Sequence, residues 1–282
     1  MLNGYPESVR ARHPRNNSMI PDVAVLQDTK KIRTKRMEDG ALWRVSLSDP
    51  DDNVLDEVMT DELTEVFLLA AKESKLKAIV LSAEGPNFSF GSSVEQHRKN
   101  QAGEMLASYH GLFHAMAASG VPVLAAVRGS CFGGGLGLVS FCQRVYAHPD
   151  AQLGQPEVAL GVFAPVASAI LADRVGRGNA DDILLSGRVV KAKEAQRIGL
   201  VDMLAKEPEA RAQDYVLEHL LPRSASSIRF VTRAARCDFM IRFDRSIQEL
   251  ERMYLGPLMD THDAKEGIES CIAKRQPAWK NA

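Results

Sequence analysis

Glu157 lies in the stretch LGQPEVALGVFAP (residues 153–165), among neighbours that are mostly apolar. A carboxyl in such surroundings loses the hydration of its charged form, so its pKa rises and it suits proton transfer near neutral pH. Upstream, RGSCFGGGLGLVSFC (residues 128–142) sets Gly133, Gly134 and Gly135 between an apolar run and a helix start, with Gly137 in the first helical turn. Glycine costs about 1 kcal/mol relative to alanine inside a helix, so four here point to a need for bare backbone. A glycine loop opening a helix leaves N–H groups unsatisfied and directed outward. Such groups can stabilise a developing oxyanion, and the missing side chains let a carbonyl oxygen come close. A third stretch, GPNFSFGSSVEQH (residues 85–97), reads as a turn directly after a strand. Each feature alone also fits a tight packing turn or an ordinary hydrogen-bonded glutamate. Their joint occurrence favours chemistry.

Other constellations fail. Gly133 and Gly135 match the first two positions of GxGxxG, but the third falls on Leu138, and no GxxxxGK[ST] loop occurs. His110 and His114 have the helical spacing of two metal ligands, yet lack the glutamate of HExxH and a nearby third ligand, so no metal is expected. Ser130 is not in a GxSxG elbow. Glu95 and His97, just past the first turn, read as solvated loop residues unless the site recruits them. Cys131, Cys142, Cys237 and Cys271 form no CxxC pair, which suits reduced thiols and a cytoplasmic location. A formal net charge of −1 gives no electrostatic reason for a nucleic-acid or membrane partner. No apolar run is long enough to span a bilayer, and no signal-peptide pattern is seen.

The elements that must position these residues follow from hydrophobic periodicity. ALWRVSL, KAIVLS and PVLAAV read as strands. Met59, Leu63, Val66, Phe67 and Ala70 recur at helical spacing, as do Met105, Tyr109, Leu112, Phe113 and Met116. This alternation predicts an α/β core with parallel strands and crossover helices. Residues 1–36, with SVRARHPRNN and KKIRTKR, are basic, lack apolar periodicity and read as a flexible extension. Residues 37–205 are expected to form the α/β core and residues 206–282 a helical region. In the latter, SIQELERMYLGPLM and DTHDAKEGIESCIAKR are each opened by a capping-type residue.

Taken together, NFSFGSS, GSCFGGGLGL, LGQPEVALGVFAP and LLSGRVVKAKEAQRIGLVD resemble, in order and spacing, the crotonase or enoyl-CoA hydratase/isomerase family. The resemblance runs from about Gly40 to the C-terminus. It implies a spiral of ββα units with a helical C-terminal trimerisation region, forming a homotrimer or a dimer of trimers. By position it places the oxyanion N–H groups on Ser92 and Gly134 and the acid/base on Glu157, with Phe163, Ala164 and Pro165 lining the acyl pocket. Two-glutamate hydratases carry their first glutamate where this chain has Gly137, which is expected to free space in the pocket and remove one proton-transfer group. Within the family, GPNFSFGSSVEQH, GQPEVALGVFAPVAS, SASSIRFVTRAARCD and HDAKEG resemble the branch of cyclohexa-1,5-diene-1-carbonyl-CoA hydratases.

The resemblance implies hydration, or the reverse dehydration, of an enoyl- or dienoyl-CoA thioester through an enolate. Glu157 would take a proton from water and return it. Coenzyme A would enter only as part of the substrate, with no other cofactor. A single carboxylate also suits double-bond isomerisation, or dehydration of an acyl group on an acyl-carrier protein. A protein that binds acyl-CoA without turnover is the non-catalytic alternative.

Overall fold

Short strands whose central members are buried on both faces need cover on each side, and the chain supplies it with helices from both ends of the sequence. The computed structural model describes residues 29–50 and 52–282. Its larger sheet contains β1 (Ile32–Met37), β2 (Leu42–Leu47), β3 (Ala78–Ala83), β4 (Val123–Val127), β6 (Arg144–Ala147) and β9 (Met203–Leu204), in that spatial order. Strand β1 pairs antiparallel with β2, and all the other pairs are parallel. A second, three-stranded sheet has β5 (Ser130–Phe132) parallel to β7 (Gln152–Gly154), which is antiparallel to β8 (Val189–Lys191).

Crossovers between parallel strands are made by α1 (Glu57–Lys72) and α2 (Ala102–Ser119), the two helices expected from periodicity. Asp56 caps α1 by accepting from the Met59 N–H, and Met59, Leu63, Val66, Phe67 and Ala70 face the core. The chain then runs through α3 (Gly134–Phe141), α4 (Pro165–Val175), α5 (Arg177–Ser186) and α6 (Ala192–Arg197). It ends in α7 (Pro208–Tyr215), α8 (Ala225–Ala235), α9 (Cys237–Met253) and α10 (His262–Ile272). Among the described residues no helix is long and apolar enough to cross a membrane.

Two expectations need correction. Residues 1–28 of the basic extension lie outside the described residues, but its last part is not an extension. Strand β1 straddles the boundary placed at 36/37, with Ile32 and Thr34 buried and Arg33 and Lys35 exposed. The basic residues occupy one face of an edge strand, where charge blocks further pairing, and this hid a period-two pattern. The helix expected to begin at SIQEL instead begins earlier, at Cys237, so SIQEL lies inside α9. Helix α10 does have a side-chain cap, Thr261, which accepts from the Ala264 N–H.

Strands stop at Leu204, yet the helices beyond are not a separate packing unit. Ala212 of α7 and the neighbouring Val216 cover one face of the large sheet against Leu42, Val80, Leu124 and Tyr146. Phe243 and Ile247 of α9 join the main core on the other side. His110 and His114 of α2 face α9 and pair with its acids Glu251 and Asp244. Among the described residues no cluster of three or more His, Cys, Asp or Glu could hold a metal.

Strand β1 is thus part of the core, and Ile32 tests this. Ile32→Ala should cost about 2–5 kcal/mol in chemical denaturation, whereas Lys35→Ala on the exposed face should change stability by roughly 0.5 kcal/mol or less.

Candidate active site

Loop 85–94 is held by backbone pairing to β5. The Phe88 and Ser89 N–H groups donate to the Ser130 carbonyl at 2.9 and 3.1 Å, and the Phe132 N–H donates to the Ser89 carbonyl at 2.9 Å. Ser130 is therefore a structural strand residue. The buried Ser89 hydroxyl donates to the Asn53 carbonyl at 2.7 Å and accepts from the Gly91 N–H at 3.0 Å. The Asn53 side chain donates to the Glu84 and Asn87 carbonyls, both at 3.0 Å, closing the loop from beneath.

This staple presses backbone against backbone. Gly91, at φ +90°, packs so closely that a Cβ there would sit 2.9 Å from both the Gly134 nitrogen and the Phe132 carbonyl oxygen. Gly133, at φ +54°, turns the chain into α3 and donates its N–H to the Gly154 carbonyl at 3.0 Å. A Cβ on Gly134 would lie 3.4 Å from the Ser92 nitrogen, so the two expected oxyanion residues are neighbours. The Leu55 N–H pairs with Gly91 O, and among the described residues no acceptor pairs with the N–H of Ser92 or Gly134. Gly135 serves packing instead, since a Cβ there would meet the Ser89 side chain at 2.8 Å.

Glu157 sits in the 3₁₀ turn Pro156–Leu160 directly after β7, which places it beside the glycine turn. A Cβ on Gly133 would stand 3.0 Å from Glu157 Oε1, so glycine there makes room for the carboxylate. The side chain is buried, and the Gln155 amide N–H donates to Oε1 at 2.8 Å. Among the described residues the other oxygen, Oε2, has no partner, nor does Gln155 Oε1. Desolvation by burial raises the carboxyl to about 7, against hydrogen bonds from its own backbone and Gln155 that lower it. An unpaired buried acceptor costs on the order of 1–3 kcal/mol. Two of them, one on the acid itself and one on its neighbour Gln155, mark a place for a donor from outside the chain.

Ser92, Gly134, Gly137, Glu157, Phe163, Ala164 and Pro165 line one narrow cavity of about 20 Å³. Pro165 opens α4, and Phe163 meets Tyr254 edge to face at 5.5 Å between ring centres. The two auxiliary candidates part company. Glu95 is exposed and accepts from the Ser93 hydroxyl at 3.0 Å. His97, expected to be solvated, is buried in the cavity wall, with Nδ1 2.7 Å from the Tyr254 hydroxyl. Burial pushes its imidazole down to about 4, so it is neutral at pH 7.

Space is not free at Gly137. A Cβ there would lie 2.7 Å from the Tyr109 hydroxyl, which fills the place expected to be vacant and donates to the Gly134 carbonyl. Tyr109 and Tyr254 are thus site residues that motif reasoning missed. Tyr109 shows in sequence only as one member of a helical apolar stripe. Tyr254 lies nearly 100 residues from Glu157 along the chain, and burial together with the charge of Glu157 pushes its phenol well above the usual tyrosine range.

Comparison with known proteins converges. Residues 37–282 match the model of the enoyl-CoA hydratase/isomerase family. The chain is 45% identical over 243 residues to the cyclohexa-1,5-dienecarbonyl-CoA hydratase of Thauera aromatica, covering 86% of this chain and 94% of that protein. It is 30% identical over 254 residues to a probable enoyl-CoA hydratase of Rhizobium meliloti (strain 1021), covering 86% and 95%. The crystal structure of an enoyl-CoA hydratase from Mycobacterium avium superposes with a TM-score of 0.79 at 25% identity, covering 88% and 98%.

Gln155 stabilises the ionised form of Glu157, so removing its N–H must raise the carboxyl pKa further. In Gln155→Leu the Glu157 titration, followed by NMR of carboxyl-labelled protein, should move up from about 7 by roughly one pH unit.

Proposed function

This chain belongs to the enoyl-CoA hydratase/isomerase family, has the crotonase fold and is a hydratase-type lyase; we propose that it adds water to an enoyl- or dienoyl-CoA thioester with Glu157 as sole acid/base. One observation carries the reading. The unpartnered Oε2 of a buried glutamate shares a cavity with two neighbouring backbone N–H groups that lack acceptors.

The thioester carbonyl accepts from the Ser92 and Gly134 N–H groups, which polarise the conjugated double bond. Glu157, poised near neutrality, takes a proton from water as the water oxygen attacks the β carbon, or the δ carbon of a diene. Negative charge collects on the thioester oxygen, where the fixed N–H dipoles stabilise it without reorganising. Glu157 then returns its proton to carbon, and the enolate collapses to product. The low dielectric that raises the Glu157 pKa also strengthens the N–H to enolate interaction. Coenzyme A takes part only as the substrate's carrier. The 45% identity to a dienoyl-CoA hydratase supports a ring dienoyl thioester as the acyl class. The exposed Phe230 and Val231 of α8 and Ile241 of α9 support a subunit interface that covers these faces, in the homotrimer or dimer of trimers that the family resemblance implies.

A second reading rests on Gly137, which leaves one carboxylate in the cavity. One base moving a proton between the α and γ carbons would isomerise the double bond without adding water.

The two readings separate in heavy-oxygen water. With crotonyl-CoA or cyclohexa-1,5-diene-1-carbonyl-CoA, hydration gives a product heavier by one labelled water, and Glu157→Gln should lower that rate by about 100-fold or more. A shifted double bond with no gain in mass would establish the isomerase instead. Near-full hydration by Glu157→Gln would remove Glu157 from the mechanism.

A further inference from the structure

Tyr109 of α2 lines the site and lies outside every motif singled out in the sequence. It is buried, and its hydroxyl donates to the Gly134 carbonyl at the first turn of α3. Its ring lies against the same turn, since a Cβ on Gly134 would be 3.4 Å from Tyr109 Cζ. The phenol fills the volume into which a side chain at position 137 would project, 2.7 Å from that side chain's first atom. It lines the cavity with Glu157, Ser92 and Gly134. Burial and the charge of Glu157 push its pKa well above the usual tyrosine range, so the hydroxyl stays protonated. A phenol whose hydrogen is committed to a carbonyl keeps acceptor capacity on oxygen.

Resting on the hydratase reading, we propose that Tyr109 positions the attacking water against Glu157. One water hydrogen points to the unpartnered Oε2 of Glu157 and the other to the Tyr109 oxygen. A lone pair on the water oxygen is left for attack. The C–O bond forms as one water O–H bond breaks towards Glu157, and the double-bond electrons move to the thioester oxygen. That same proton then passes from Glu157 to carbon. No proton leaves Tyr109, which acts as a positioning residue.

This role makes Tyr109 necessary for adding water and dispensable for forming an enolate from a saturated thioester. The latter needs only Glu157 and the two N–H groups. The test compares wild type with Tyr109→Phe in two assays. The first is hydration of crotonyl-CoA and cyclohexa-1,5-diene-1-carbonyl-CoA. The second is exchange of the α-hydrogens of butyryl-CoA with deuterated water.

Tyr109→Phe should lose about 10–100-fold in hydration kcat, with KM and α-hydrogen exchange within about threefold of wild type. Gly137→Ala supplies the converse variant, because its methyl group must displace the phenol while leaving Tyr109 in the chain. It should show the same selective loss. Equal loss of both activities in both variants, or full hydration by either, would reduce Tyr109 to packing and overturn the proposal. Such a result in a hydrating wild type would leave the hydratase reading intact. A wild type that exchanges α-hydrogens but adds water to neither thioester would overturn that reading, and the role of Tyr109 with it.

Discussion

Two stretches of backbone lie in direct contact, and the rest of the site depends on that contact. Gly91 and the glycine turn at residues 133–134 approach more closely than any pair of side-chain-bearing residues would allow. The approach brings the Ser92 and Gly134 N–H groups together, and it holds because the pairing of loop 85–94 with β5 is made by main-chain hydrogen bonds. Those bonds come from the small sheet, whose β7 strand also accepts from Gly133 and leads straight into the Glu157 turn. The two proposed oxyanion donors and the Glu157 carboxylate are therefore set by one hydrogen-bonded unit. A shift in any of its three segments would misplace all of them, since catalytic geometry tolerates errors of less than about 1 Å.

The same unit imposes a cost that the fold has to offset. Glu157 is buried with one hydrogen-bond donor from Gln155, and among the described residues no lysine or arginine pairs with it. Pairing it with a cation would stabilise the carboxylate and draw its pKa down, away from the range useful for giving and taking a proton. Stability is supplied elsewhere, by parallel strands covered on one face by α7 and on the other by the main core, to which α1, α2 and α9 contribute. Polar groups around the carboxylate are neutral at pH 7: a desolvated imidazole at His97 and two phenols, Tyr109 and Tyr254. Neutral walls keep the local dielectric low without neutralising the acid.

The cavity wall is assembled from distant parts of the chain. Helix α2 provides Tyr109 and the short turn before it provides His97, while the turn after α9 backs that wall with Tyr254, which bonds His97 and packs on Phe163. The helical C-terminal region thus supports the site wall as well as covering the sheet. A boundary drawn where the strands end separates element types while cutting through both the core and the packing behind the cavity.

Composition and local pattern determined much of this protein. The strands around KAIVLS and PVLAAV, the helices carrying Met59 and Met105, the bare-backbone turn and Glu157 all follow from periodicity, glycine spacing or an isolated carboxylate. These are properties of residues close together in sequence. Strand β1 was obscured because its buried positions, Ile32 and Thr34, alternate with basic residues that dominate the composition. The neighbourhood of Ser92 and Gly134, the occupation of the space at Gly137 by Tyr109, and the pairing of His97 with Tyr254 were decided only by tertiary structure. Each joins residues from separate elements, and local sequence fixes which face a residue takes but not which distant side chain fills the space opposite. A tyrosine in an apolar stripe reads the same whether its hydroxyl meets solvent or a carbonyl at the head of another helix.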